Sequence, residues 1–196
     1  MAGRKELLAP ENNDVLTIDE HIKSMEPLRP TEERLFAYNL SEKATKAKLI
    51  KGCKRDPFLL EENSSSSNLV FSAGSWYNVV MPAVEYWNMI KEDQTCQVGE
   101  CIITIGGIKM GKENNGKCVD TQIVFLANRD KITCHFYNTT QLILVNGHGY
   151  QRLIDTFLKP FFLSQMENCL EEINSYNEFV LAKLGNKTVK KPCSAP

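Results

Sequence analysis

Gly106-Gly107-Ile108-Lys109-Met110-Gly111-Lys112 fits the glycine-x4-glycine-lysine core of a phosphate loop. Such a loop needs a hydroxyl after the lysine for Mg²⁺, then a helix whose N-terminus faces the phosphates. Here Glu113 follows, and Asn114-Asn115-Gly116 cannot open a helix. The run therefore reads as a glycine-rich hairpin connection. Cys96, Cys101, Cys118 and the Cys134-His135 pair could be assembled into a tetrahedral zinc set, but structural zinc sites present close cysteine pairs on tight knuckles. Adjacent strand residues also point to opposite faces, which separates Cys134 from His135. The expectation is thiols without a metal. The three histidines, His21, His135 and His148, have no serine and aspartate constellation around them, so no catalytic residue can be nominated and no cofactor is implied. Cys193, fourth from the end behind Lys187, Lys190 and Lys191, has the position of a prenylation cysteine but neither the aliphatic pair nor the usual last residue.

Two other groups of residues suit binding rather than turnover. Lys43, Lys46, Lys48, Lys51, Lys54 and Arg55 place six cations and no acid in one run, bracketed by Glu42 and Asp56. The plain interpretation is a solvated helix face; the sharper one is a stripe of phosphate contacts. Lys131, His135 and Tyr137 recur at every second or fourth position of a β-patterned run, so they share one face of a strand. Those residue types stack on bases and steady backbones in sheet-type single-strand binders. Val124, Leu126, Leu142 and Leu144 fall on the same face and suit a protein partner instead.

These residues need a scaffold. The chain has 196 residues, 42% apolar and 24% charged, with 23 basic against 24 acidic side chains. That is the composition of a soluble globular protein and excludes a wholesale polyanion binder, which would carry a cationic excess. The longest uncharged stretch, residues 63–84, holds four consecutive serines, Gly74 and Pro82, so no membrane span is expected. The N-terminus has no apolar run of signal-peptide length, and seven cysteines are an odd, scattered set. An intracellular location, cytoplasmic or nuclear, is the expectation.

The spacing predicts an N-terminal arm and basic helix over 1–56, a Ser-rich linker over 57–68, an α+β domain over 69–185 and a basic tail over 186–196. Leu69–Phe71 and Trp76–Met81 read as extended, with a short helix from Pro82 to Ile90. Strands follow at Cys101–Ile105, Val119–Leu126, Ile132–Tyr137 and Leu142–Val145. Two-residue loops at Asn128-Arg129 and Thr139-Thr140 would set Phe125 opposite Ile132, Ile123 opposite Cys134, Thr121 opposite Phe136 and Phe136 opposite Ile143. One face of this sheet is then wholly apolar and the other mixed, carrying Asp120, Gln122, Thr133 and Asn146 besides the residues named above. From Tyr150 to Leu184 the apolar spacing is helical, either kinked at Pro160 or split near Ser164. The fold class expected is thus α+β, an antiparallel sheet of at least four strands packed on a long C-terminal helix. Met166, Ile173, Tyr176 and Val180 belong to a 4-3-4-3-4 stripe, the spacing of a coiled-coil seam, and are candidate homodimer contacts.

The stretch Ile132–Tyr150, with its Asn-Thr-Thr-Gln141 turn and Gly147-His-Gly149, and the helix after it resembles one found in uncharacterised invertebrate proteins that accompany mobile-element open reading frames, over about residues 95–190. The resemblance supplies no catalytic residue and implies nucleic-acid company. A curved sheet capped by a helix also resembles TATA-binding-like and related domains, an analogy of fold alone. The function expected is a non-enzymatic binding module for single-stranded or structured nucleic acid, with protein interaction or homodimerisation as the competing class and an enzyme with scattered site residues as the third.

Overall fold

The computed structural model describes residues 43–90, 95–98, 101–110 and 121–185. Helix α1 (Lys43–Cys53) leads into the hairpin of β1 (Phe58–Glu62) and β2 (Ser66–Phe71). A continuous helical run follows: α2 (Ala73–Ser75), a π-helical turn (Trp76–Val80) and α3 (Met81–Ile90). Then come β3 (Thr95–Val98), β4 (Cys101–Met110), β5 (Thr121–Ala127), β6 (Asp130–Tyr137) and β7 (Leu142–Gly147). A second helical run, α4 (Tyr150–Leu153), a π-helical turn (Ile154–Leu158) and α5 (Lys159–Asn168), precedes α6 (Leu170–Gly185). All seven strands form one antiparallel sheet in the order β1-β2-β7-β6-β5-β4-β3, so the class is α+β.

The central register follows from the turns. Asn128 and Arg129 both take positive φ, 49° and 80°, the pair of left-handed residues that matches a two-residue turn to strand twist. Phe125 pairs with Ile132, Ile123 with Cys134, Thr121 with Phe136 and Phe136 with Ile143, as the sequence predicts. The β6–β7 connection keeps that register but is built as a four-residue turn, Asn138 to Gln141, with Gln141 at φ 52°. Its buried polar groups are tied inward: Trp76 Nε1 donates to Asn138 Oδ1 at 3.2 Å, and Gln141 Nε2 donates to the Asn138 carbonyl at 2.8 Å.

The apolar face, including Leu69, Phe71, Ile105, Ile123, Phe125, Ile132, Phe136, Ile143 and Val145, is fully covered by the helices. Trp87 of α3 sits at the centre of that layer, with its ring centroid 5.5 Å from Phe125, 5.5 Å from Phe161, 6.2 Å from Phe162 and 6.5 Å from Phe136. Ring packing at these separations adds to area burial, so the sheet and both helical runs share one core.

Several expectations are corrected. Residues 57–68 are not a linker: β1 and the start of β2 lie there, and Ser67 is buried opposite Val145. A serine-rich run cannot reveal this, because the strand gains its burial from β7 and not from its own side chains. Trp76–Met81 is helical, not extended. Every residue from 76 to 80 is buried, so no helical alternation marks it. The C-terminal helix breaks later than either candidate point, at Cys169 (φ −125°, ψ 23°). Pro160 is accommodated instead by the wide turn just before it, where the carbonyl it cannot pair with is released.

That break settles what covers the stripe. Helix α6 packs against α1 and α2. Met166, Ile173, Tyr176 and Val180 are at most 4% exposed within a single chain, so the seam proposed for a homodimer is already occupied. The Tyr176 ring meets that of Tyr77 at 5.4 Å. The part of the expected N-terminal arm and basic helix before Lys43 and the basic tail over 186–196 lie outside the described residues.

Candidate nucleic-acid interface

The other sheet face is open among the described residues. Alternation puts Gln122, Val124 and Leu126 of β5, Lys131, Thr133, His135 and Tyr137 of β6, and Leu142, Leu144 and Asn146 of β7 on it, all half-buried or exposed. On β4 the same face carries Ile102, Thr104 and, beyond an irregularity between Ile105 and Gly107, Lys109 opposite Gln122. The irregularity re-phases the strand, so that Ile108 still turns to the core while Lys109 faces out.

Two features give this face its chemistry. The rings of His135 and Tyr137, two residues apart on the central strand β6, lie nearly parallel at 6.3 Å and 22°. Both side chains are half-buried on the outward face, and aromatic rings of this kind are the type on which bases stack. Second, β4, β5, β6 and β7 present Lys109, Lys131 and His135 outward, and no carboxylate among their described outward residues; Asp120, which the sequence alternation puts on this face, lies outside the described residues. The chain as a whole carries 24 acids against 23 bases, so the described part of this face is poorer in acids than the chain. Glu61 on the edge strand β1, opposite Asn68, is the outward acid nearest in the sheet.

Of the nine residues nominated for nucleic acid, Lys131, His135 and Tyr137 are brought together here. The basic run is not on this face. Helix α1 lies in the helical layer against α2 and α6, with Lys48, Lys51 and Lys54 exposed and Lys46 half-buried; the side chain of Lys43 lies outside the described residues. Arg55 alone reaches the sheet, where Nη1 donates to the Thr140 carbonyl at 2.7 Å. Lys109 was not nominated. Its signal was legible only after the irregularity in β4 is known, since strict alternation from Ile103 and Ile105 would turn it inward.

Other chemistries find less support. Among the described residues no group of three His, Cys, Asp or Glu side chains is placed to hold a metal ion. Burial pushes the Cys53 thiol up to about 12 and raises that of Cys134 as well, so neither supplies a thiolate near neutral pH. The phosphate-loop candidate is split: Gly106 to Met110 belong to β4, with no helix following within the described residues of that strand, and Gly111-Lys112 lie outside the description. No described helix is long and apolar enough to cross a membrane. No protein-family model, no curated protein and no solved structure matches the chain.

Proposed function

We propose that the chain is a non-enzymatic binding module that holds single-stranded nucleic acid on the open sheet face, with His135 and Tyr137 as the stacking platform and Lys131 and Lys109 as phosphate contacts. The observation that carries this reading is the absence of outward carboxylates from the described part of β4–β7 in a chain that is slightly acidic overall. A polyanion is repelled by scattered acids, and a surface whose described outward residues hold none around two half-buried rings suits one.

The test is a salt titration of oligonucleotide binding by fluorescence anisotropy. Affinity is expected to fall steeply with ionic strength, and Lys131→Gln should lower the slope of log K against log salt by about 0.7, the value of one phosphate contact on a single strand. Tyr137→Ala should weaken binding by about 1–3 kcal/mol, the value of one base stacked on an aromatic ring, with little change in that slope. No binding by the parent at low salt would end this reading.

A second reading has its own observation. Ile102 and Leu126, on the same face, are 50% and 37% exposed, more apolar surface than a nucleic-acid platform requires. A protein partner, a second copy included, would cover them. Sedimentation of the parent distinguishes the two: a monomer at micromolar concentration excludes the self-association form of this reading, whereas a dimer lost in Leu126→Lys would favour it.

A further inference from the structure

The basic helix and the stacking platform lie in different layers, yet they meet at one end of the sheet. Two contacts fix the C-terminal end of α1 against the β6–β7 turn. Gly52 backs onto the Gln141 side chain so closely that a methyl there would collide with Oε1. Arg55, three residues on, holds the Thr140 carbonyl. The same turn begins at Tyr137, the last outward residue of β6, whose carbonyl accepts from the Thr140 amide at 3.3 Å. Lys51 and Lys54, both exposed, are the chain neighbours of Gly52 and Arg55, the two residues that touch the turn. Asp56 is the one carboxylate between Lys43 and Pro57.

We infer that a single strand stacked on Tyr137 leaves the sheet over the β6–β7 turn and continues onto Lys54 and Lys51, so that the end of α1 lengthens the footprint beyond the sheet. The occupant is a single-stranded nucleic acid because the track joins two stackable rings to a run of cations with no acid within it. A strand running along the outer face in the β6 direction reaches the β6–β7 turn and passes over it to the helical layer. The inference rests on the nucleic-acid reading of the sheet face.

The experiment uses the full chain and oligothymidylates of about 4 and about 12 nucleotides, lengths within the range that one single-strand binding domain covers. Tyr137→Ala should weaken both lengths. The double variant Lys51→Gln, Lys54→Gln should leave the short oligonucleotide unchanged and weaken the long one by about 25-fold at about 0.1 M salt, with its salt slope reduced by about 1.4, since each lost contact removes about 0.7. Both lysines are exposed, so the variant should unfold at the parent's temperature, and circular dichroism checks that it does. Equal loss at both lengths, or no loss at the long one, overturns the path while leaving the sheet site standing. If the parent binds neither oligonucleotide, the sheet reading falls and the path falls with it. If Lys51 and Lys54 serve a protein partner instead, the long oligonucleotide is bound as tightly by the variant as by the parent, which likewise overturns the path.

Discussion

Phe136→Asp is expected to abolish cooperative unfolding, leaving an insoluble or unfolded chain. Phe136 lies on the central strand β6, is 1% exposed and pairs with Thr121 on one side and Ile143 on the other. Its ring sits 6.4 Å from that of Trp76 and 6.5 Å from that of Trp87, so it joins both parts of the first helical run to the sheet. Truncating such a phenylalanine costs about 3–5 kcal/mol, and burying an unpaired carboxylate in its place costs several more. The sum matches the whole stability of an ordinary domain, about 5–15 kcal/mol. His135→Asp, one residue earlier on the same strand, should change stability far less because that side chain faces out. Urea unfolding followed by tryptophan fluorescence measures both. Retention of a cooperative transition in Phe136→Asp, at nearly the parent's midpoint, would mean that the two faces of β6 have been exchanged.

The same pair of residues shows what a sequence discloses about such a fold. The facing of β5, β6 and β7 was legible because the side-chain period of a strand is two and the Asn128-Arg129 turn sets a register in which Ile123, Phe125, Ile132, Cys134, Phe136, Ile143 and Val145 share a face. The stripe Met166, Ile173, Tyr176, Val180 was equally legible as buried. What covers it was not, because a periodic stripe specifies that a partner exists without specifying which. The chain's own α1 and α2 are that partner, and the break at Cys169 that brings α6 to them has neither proline nor glycine to announce it. At the site, Lys131, His135 and Tyr137 could be placed on one face from spacing alone. The separation of Lys48, Lys51 and Lys54 into the other layer depends on where α1 docks, which no local pattern encodes. The lack of acids among the described outward residues of β4–β7 becomes visible only when strands far apart in sequence are read side by side.

Gly74→Ala is expected to destabilise the protein by about 3 kcal/mol, at the upper end of what overpacking costs, although glycine to alanine in a helix is ordinarily stabilising by about 1 kcal/mol. The reversal comes from a close approach of two backbones. A methyl at Gly74 would fall on the Ile173 carbonyl oxygen, with the Ile173 carbonyl carbon at 2.9 Å and its Cα at 3.0 Å. These atoms belong to the backbone of α6 and cannot rotate away, so α2 and α6 must separate. Separation would strain a half-buried polar junction: Gly74 N donates to Asn177 Oδ1 at 2.7 Å, and Asn177 Nδ2 donates to Ser72 Oγ at 3.4 Å. Leaving such groups unpaired out of water costs about 1–3 kcal/mol each. Gly185→Ala, at the end of α6 with nothing within 4 Å of the added methyl, should stay within about 1 kcal/mol of the parent. Guanidinium denaturation of the three proteins decides the matter, and a Gly74→Ala chain as stable as its parent would show that α2 and α6 are not in backbone contact. Because the junction lies in the helical layer and the stacking rings on the far side of the sheet, Gly74→Ala should bind oligonucleotide normally wherever it remains folded. A stability defect without a binding defect is the signature that separates the device holding the helices together from the face that meets the ligand.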